Sequence, residues 1–200
     1  MMSHEVLVLY YSPGGTTAEM ANVIARGVEE IDGVQARVRT VPNVSPTTEQ
    51  VDSPIPADGP LYATTDDLIE CDGLILGCPT HFGNMPAAMK HFIDSTSALW
   101  MGGKLAGKPA AVFSASTSIH GGQESTLLTM MLPLLHHGML IVGLPYTETE
   151  LFQSKTGGSP YGATRLTDDL DETLLSDDEH KLCLAIGKRV ASTTKKLFQK

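Results

Sequence analysis

The stretch YYSPGGTTAEMA, Tyr10 to Ala21, follows the apolar run Val6 to Leu9 and sets two glycines and three aliphatic hydroxyls where a strand would turn into a helix. A helix N-terminus offers free N–H groups and the equivalent of about half a positive charge. Ser12, Thr16 and Thr17 add hydroxyl donors, and Gly14 and Gly15, after Pro13, let the backbone curl closely around an anion. This set suits a single terminal phosphate held without an ionic partner. A triphosphate fits poorly because GxxxxGK[ST] is missing, and a dinucleotide fits poorly because GxGxxG is missing. The same string also reads as a tight turn followed by a helix cap.

Two further stretches carry similar chemistry. "CPTHFGN", Cys78 to Asn84, follows a second apolar run and contains Pro79, Thr80, His81, Phe82 and Gly83. Phe82 can lie beside a flat ring while backbone N–H groups meet ring carbonyls and nitrogens, or it can be a core residue. "ASTSIHGG", Ala115 to Gly122, is polar and permissive, with Ser116, Thr117, Ser118 and Gly121 fit to wrap a ring edge or a ribityl chain. Together the three describe a flat, polar-edged ring system ending in a phosphate, which is FMN. His136-His137 has no third ligand nearby in sequence and argues poorly for a metal. One of the pair can pack or cap a helix end, and the other can supply a proton near neutral pH. Trp100 is the only tryptophan; it is either core or the lip of a pocket.

The elements that must position these loops follow from periodicity. Glu5–Tyr11, Gly73–Gly77, Ala110–Ala115 and Leu140–Leu144 read as buried strands, and Gln35–Val41 alternates like an edge strand. Thr16–Glu30 reads as a helix with Met20, Val23, Ile24 and Val28 on one stripe. Thr64–Asp67 caps a short helix through Ile69, Ala87–Thr96 is helical, and Ser125–His137 is an apolar helix with a break expected near Pro133. Ser176 and Glu179 form a capping box for a helix running to Lys196, with Leu182, Leu184, Ile186, Val190 and Leu197 as its apolar contacts. Pro42–Pro60 reads as a long loop, and Asp168–Glu179 as a solvated acidic stretch.

Strands alternating with helices imply right-handed crossovers and a parallel sheet covered on both faces. Five strands fit the flavodoxin-like α/β order 2-1-3-4-5, a three-layer sandwich whose ligands sit beyond the carboxyl ends of the strands. In that order the three loops converge on one crevice.

The chain has 200 residues, a size for one domain over 1–200. Its 14 basic and 23 acidic residues give a net charge of −9, which argues against nucleic-acid or anionic-membrane partners. Cys71, Cys78 and Cys183 form no CxxC pair and are expected reduced and buried. There is no basic region followed by a long apolar stretch at the start, so no signal peptide is expected, and no apolar run approaches the ~20 residues that span a bilayer. A cytoplasmic enzyme is the expectation.

The pieces "VLVLYYS…G", "GCPTHFGNMP…FID", "LW…GKLAGKPAAVFSAS", "GGQE", "HHGM", "ELF" and "GGSPYGA" stand in order along most of the chain. Together they resemble the NAD(P)H:quinone oxidoreductases of the WrbA type. The resemblance implies a flavodoxin-like fold, FMN, a homotetramer, and two-electron transfer from NADH or NADPH to a quinone by a ping-pong mechanism. It places the phosphate loop on Ser12–Thr17, the ring contacts on Thr80, His81 and Phe82, the third loop on about Ala115–Gly121, the active-site histidine on His137, and on Trp100 an aromatic covering a neighbouring chain's ring. "GGSPYGA" matches the family's insertion after the last core strand. Two positions depart from the family: Gly14 stands where a tyrosine is common, and the third loop is one residue longer, with Ile119 and His120 where small residues are usual. A one-electron flavodoxin and a repressor-binding interaction protein are the rival readings.

Overall fold

A computed structural model describes residues 3–45, 53–167 and 175–198. In chain order the elements are β1 (His4–Tyr10), α1 (Thr16–Glu29), β2 (Val34–Thr40), α2 (Thr65–Glu70), β3 (Gly73–Pro79), α3 (Ala87–Asp94), α4 (Ser97–Met101), β4 (Pro109–Ser116), α5 (Gln123–His136), β5 (Leu140–Ile141), α6 (Glu150–Gln153), β6 (Ala163–Leu166) and α7 (Asp177–Phe198). All strand pairs are parallel, and the sheet runs β2-β1-β3-β4-β5, the order expected from the sequence.

Strand alternation divides the core into two layers. Val6 and Val8 of β1, Ile75 of β3, and Ala111 and Phe113 of β4 face α1 and α7, and Met20, Ile24, Leu182, Ile186 and Val190 close over them. Leu7, Leu9, Leu74, Leu76 and Val112 face the other way, against Leu68, Met89, Leu127, Met130 and Leu134. Burial on both faces is what makes these strands read as continuous apolar runs.

Several expected boundaries change. The last strand was expected over Leu140–Leu144, but β5 ends at Ile141. Val142 still donates to the Ala110 carbonyl, while Leu144 donates to Pro160, where the chain returns. β6 then pairs with the far half of β4, Ala163 beside Phe113 and Leu166 beside Ser116. The segment 142–162 is therefore an insertion within the fifth strand position, and β5 and β6 are its two halves. The helix expected over Ala87–Thr96 is α3, which ends at Asp94, and a further short helix, α4, follows it. The break expected at Pro133 does not occur; α5 continues to His136. Leu197 is exposed rather than packed. The middles of the expected 42–60 loop and 168–179 acidic stretch lie outside the described residues, but Glu179 is buried, not solvated.

Both predicted caps form. Thr64 and Asp67 exchange bonds at the start of α2, and the Ser176 hydroxyl and backbone N–H both donate to Glu179 while Glu179 N–H donates back to the hydroxyl. The three cysteines are free and buried. Burial pushes the Cys71 thiol up to about 11 and the Cys78 thiol up to about 12, so both are unreactive at neutral pH.

Helices α1 and α7 cross at two glycines. A methyl added at Gly27 would lie 2.3 Å from the Leu184 carbonyl oxygen, and one at Gly187 would lie 2.2 Å from that of Ile24. Helix propensity alone favours alanine by about 1 kcal/mol, but forcing the helices apart costs more. Gly27→Ala and Gly187→Ala should each lower stability by about 2 kcal/mol in urea unfolding. Wild-type or higher stability in either variant would refute the close crossing.

Candidate functional site

β1, β3 and β4 end side by side, and the loops after them bound a crevice of about 360 Å3. Ser12, Pro13, Gly14, Thr16 and Thr17 come from the first loop, Pro79, Thr80 and His81 from the second, and Ala115, Ser116, Thr117, Ser118 and Gly121 from the third. The structure thus brings most of the residues singled out in the sequence to one place. It adds Thr167, which the sequence did not suggest, because only the pairing of β6 with β4 carries the chain back to this rim.

The helix starts at the crevice are built differently from those elsewhere. α1 begins after Gly15 at φ 85° and α5 after Gly122 at φ 94°, both left-handed and neither with a side-chain cap. The first N–H groups of α1 are therefore left for an outside acceptor. The space around Gly14 and Gly15 is open: a methyl on either would meet nothing within 4 Å. Ser12 lines the same space, and its hydroxyl is buried with no hydrogen-bond partner. A buried hydroxyl without a partner is costly, and an anion seated against α1 would relieve it together with the bare N–H groups. Among the described residues no lysine or arginine lines the crevice, and a small, multiply accepting anion such as a phosphate ester fits.

The rest of the crevice is preset. Thr80 N–H donates to the Ala115 carbonyl, and the Thr126 hydroxyl donates to Thr80 Oγ1 at 2.7 Å. Ser116 Oγ donates to the Ser118 carbonyl and accepts from Gln123 Nε2. The Thr167 hydroxyl donates to the Ser116 carbonyl. Gly121 turns back on Ser118, whose hydroxyl would lie 2.5 Å from an added methyl.

His81 to Asn84 forms a two-residue reverse turn, with N–H···O bonds of 2.8 and 3.1 Å between its ends. Phe82 and Gly83 sit at φ 55° and 75°. A left-handed phenylalanine is rare and strained, and here it throws the ring wholly into solvent, at 109% of its reference exposure. The possibility that Phe82 is a core residue is thereby excluded. Phe82, Gly83 and Asn84 form the crevice's outer rim rather than its lining.

His137 and Trp100 do not join this crevice within one chain. Gln123, at the start of α5, bonds Ser116 at the crevice; His137 follows the other end of that helix, about 20 Å away at 1.5 Å per residue. His137, His136, Pro133, Trp100 and Thr96 line a separate cavity of about 460 Å3. Trp100 is half exposed there.

The Thr96 hydroxyl donates its one hydrogen to the Ile93 carbonyl at 2.6 Å. It must therefore accept from His137 Nε2, 2.9 Å away, which leaves the lone pair on Nδ1. Nδ1 is buried without a partner. Burial first, and the neighbouring His136 second, lower the pKa of His137. The ring is a neutral acceptor at pH 7.

The family model for NADPH-dependent FMN reductases matches residues 4–149. A Geobacter sulfurreducens protein named NAD(P)H dehydrogenase (quinone) is 42% identical over 200 residues, covering 96% of this chain and 98% of its own. A protein of the same name from Solidesulfovibrio magneticus is 37% identical over 204 residues, with the same coverage. Among solved structures, a flavodoxin described as WrbA-like, from Agrobacterium tumefaciens, superposes with a TM-score of 0.70 at 25% identity, covering 97% of this chain and 99% of that one.

A lowered histidine pKa makes stability fall as pH drops through the unfolded value of about 6.5, because the unfolded chain takes up the proton more readily. His137→Gln should flatten that part of a stability-versus-pH curve measured by denaturant unfolding between pH 7.5 and 5.5. Curves for the two proteins that stayed parallel would rule out the neutral, buried imidazole.

Proposed function

The chain belongs to the NADPH-dependent FMN reductase family and, within it, to the WrbA-type NAD(P)H:quinone oxidoreductases, and from that premise we propose that it reduces quinones with NADH or NADPH, the two substrates taking turns at one FMN-bearing site. The observation that carries this reading is the crevice in which the first N–H groups of α1 have no side-chain cap and the buried Ser12 hydroxyl has no partner. Those are the groups an FMN phosphate needs.

Ser12, Thr16, Thr17 and the backbone of Gly14 and Gly15 would hold the phosphate. Thr80, His81 and the backbone of residues 115–121 would border the ring. FMN, when bound, supplies the two-electron redox chemistry that no amino-acid side chain provides. The protein would orient the ring through Thr80, His81 and the third loop, with the outward Phe82 at the rim.

His137 and Trp100 complete the site from neighbouring copies in a homotetramer. This is supported by their distance from their own crevice and by the apolar surface beside them. Leu128, Leu132 and Leu135 are exposed at helical spacing along α5, and Leu140, Met101 and Phe82 are exposed as well; an exposed apolar face of this kind marks an association surface. His137 would have to turn its ring to meet the substrate oxygen, because Nδ1 is buried in its own chain and Nε2 is bonded to Thr96. Three reduced, buried cysteines fit a cytoplasmic setting.

Apoprotein titrated with FMN should turn yellow at one flavin per chain, sediment as a tetramer, and consume NADH with benzoquinone in parallel double-reciprocal lines. His137→Ala should lower quinone turnover about 10- to 100-fold while FMN stays bound. A protein that binds FMN but is not reduced by NADH would instead be an electron carrier; one that ignores FMN would defeat the reading altogether.

A further inference from the structure

Glu19 stands one turn into α1, where its N–H donates to the Gly15 carbonyl. Helical side chains lean toward the N-terminus, so this carboxylate points back toward the phosphate end of the crevice, on the order of 6–10 Å away. Its structural task is visible: Oε1 accepts from Leu175 N–H at 3.3 Å and ties the approach to α7 onto α1. That task leaves a negative charge beside the place where a dianion must sit. Glu179 is also close, but its oxygens are occupied by the N–H groups of Leu166 and Ser176 and by the Ser176 hydroxyl.

Arg165 meets this problem. It lies on β6 opposite Ala115, a crevice residue, with its side chain on the α1/α7 face of the sheet and only 6% exposed. Its Nη1 donates to Glu19 Oε2. We propose that Arg165 is a positioning residue for the phosphate site, one that acts through Glu19. By holding that carboxylate against β6 and cancelling its charge, it lets an anion settle on α1, where no lysine or arginine among the described residues lines the crevice. β6, the second half of the fifth strand, thereby contributes to cofactor binding without touching the cofactor. This rests on the FMN reading above and adds a condition to it.

The experiment compares the affinities of FMN and riboflavin for the refilled apoprotein, by flavin fluorescence quenching. Riboflavin lacks the phosphate and so reports any general damage to the crevice. In Arg165→Gln the FMN-to-riboflavin affinity ratio should fall about tenfold, as expected for one uncancelled charge near a dianion in a partly buried site. Adding Glu19→Gln to make the isosteric neutral pair should return the ratio to within about threefold of wild type, and Glu19→Gln alone should not lower it. Should Arg165→Gln fail to fold, Arg165→Lys should keep the wild-type ratio and Glu19→Gln alone should raise it severalfold. Equal weakening of both flavins by Arg165→Gln, or a double variant that stays low, would overturn the proposal and assign Arg165 a structural role. Wild-type protein that binds no FMN would overturn the functional reading, and this inference with it.

Discussion

The N–H groups in the first turn of a helix need acceptors, and α1 supplies none from its own side chains. Gly15 holds the entrance in a left-handed turn, Gly14 leaves the space before it open, and Ser12 presents a buried, unpartnered hydroxyl to the same space. α2 and α7 close their own starts with capping boxes; α1 and α5, which start at the crevice, instead follow a left-handed glycine and have no side-chain cap. The crevice is a place where hydrogen-bonding capacity has been withheld from the fold. Its walls are fixed by bonds among Thr80, Ser116, Gln123, Thr126 and Thr167, and its mouth is left polar and unsatisfied.

The insertion at 142–162 shapes that crevice from a distance. It ends β5 after two residues and returns the chain along the outer half of β4 as β6. Thr167 then arrives at the rim and Arg165 behind α1. Close approach governs the return: a methyl on Gly143 would lie 2.3 Å from the Pro160 carbonyl oxygen, and one on Gly162 would lie 2.1 Å from that of Val112. Glycine at both ends lets the two passes of the chain lie against each other and against β4.

The residues with catalytic character divide between two ends of the molecule. Those that suit a phosphate and a flat ring lie at the carboxyl ends of the strands, while His137 and Trp100 lie beyond the far end of α5. One helix length separates them. The proposed assembly joins the two ends across subunits, where the exposed leucines of α5 and the outward ring of Phe82 would be covered. The tautomer of His137 follows from one hydroxyl: Thr96 has a single hydrogen, already given to Ile93, and so accepts from Nε2, while burial favours the neutral ring.

The amino-acid sequence by itself determined the class of fold, the strand order and the three loops, because apolar runs, helical stripes and glycine-rich turns are local signals. It also determined both capping boxes, which need only four consecutive residues. It did not determine where the fifth strand divides: the run Leu140 to Leu144 is apolar either way, and only pairing along β4 decides which half is β5 and which is β6. Nor did it determine that Phe82 points outward, since the turn from His81 to Asn84 imposes a backbone conformation that phenylalanine does not favour. Glu179 reads both as a capping residue and as the end of a solvated acidic run; the fold buries it, with the Leu166 N–H donating to its carboxylate. The separation of His137 from its own crevice is likewise tertiary: position along a helix axis is set by which end packs where, and residue types carry no record of it.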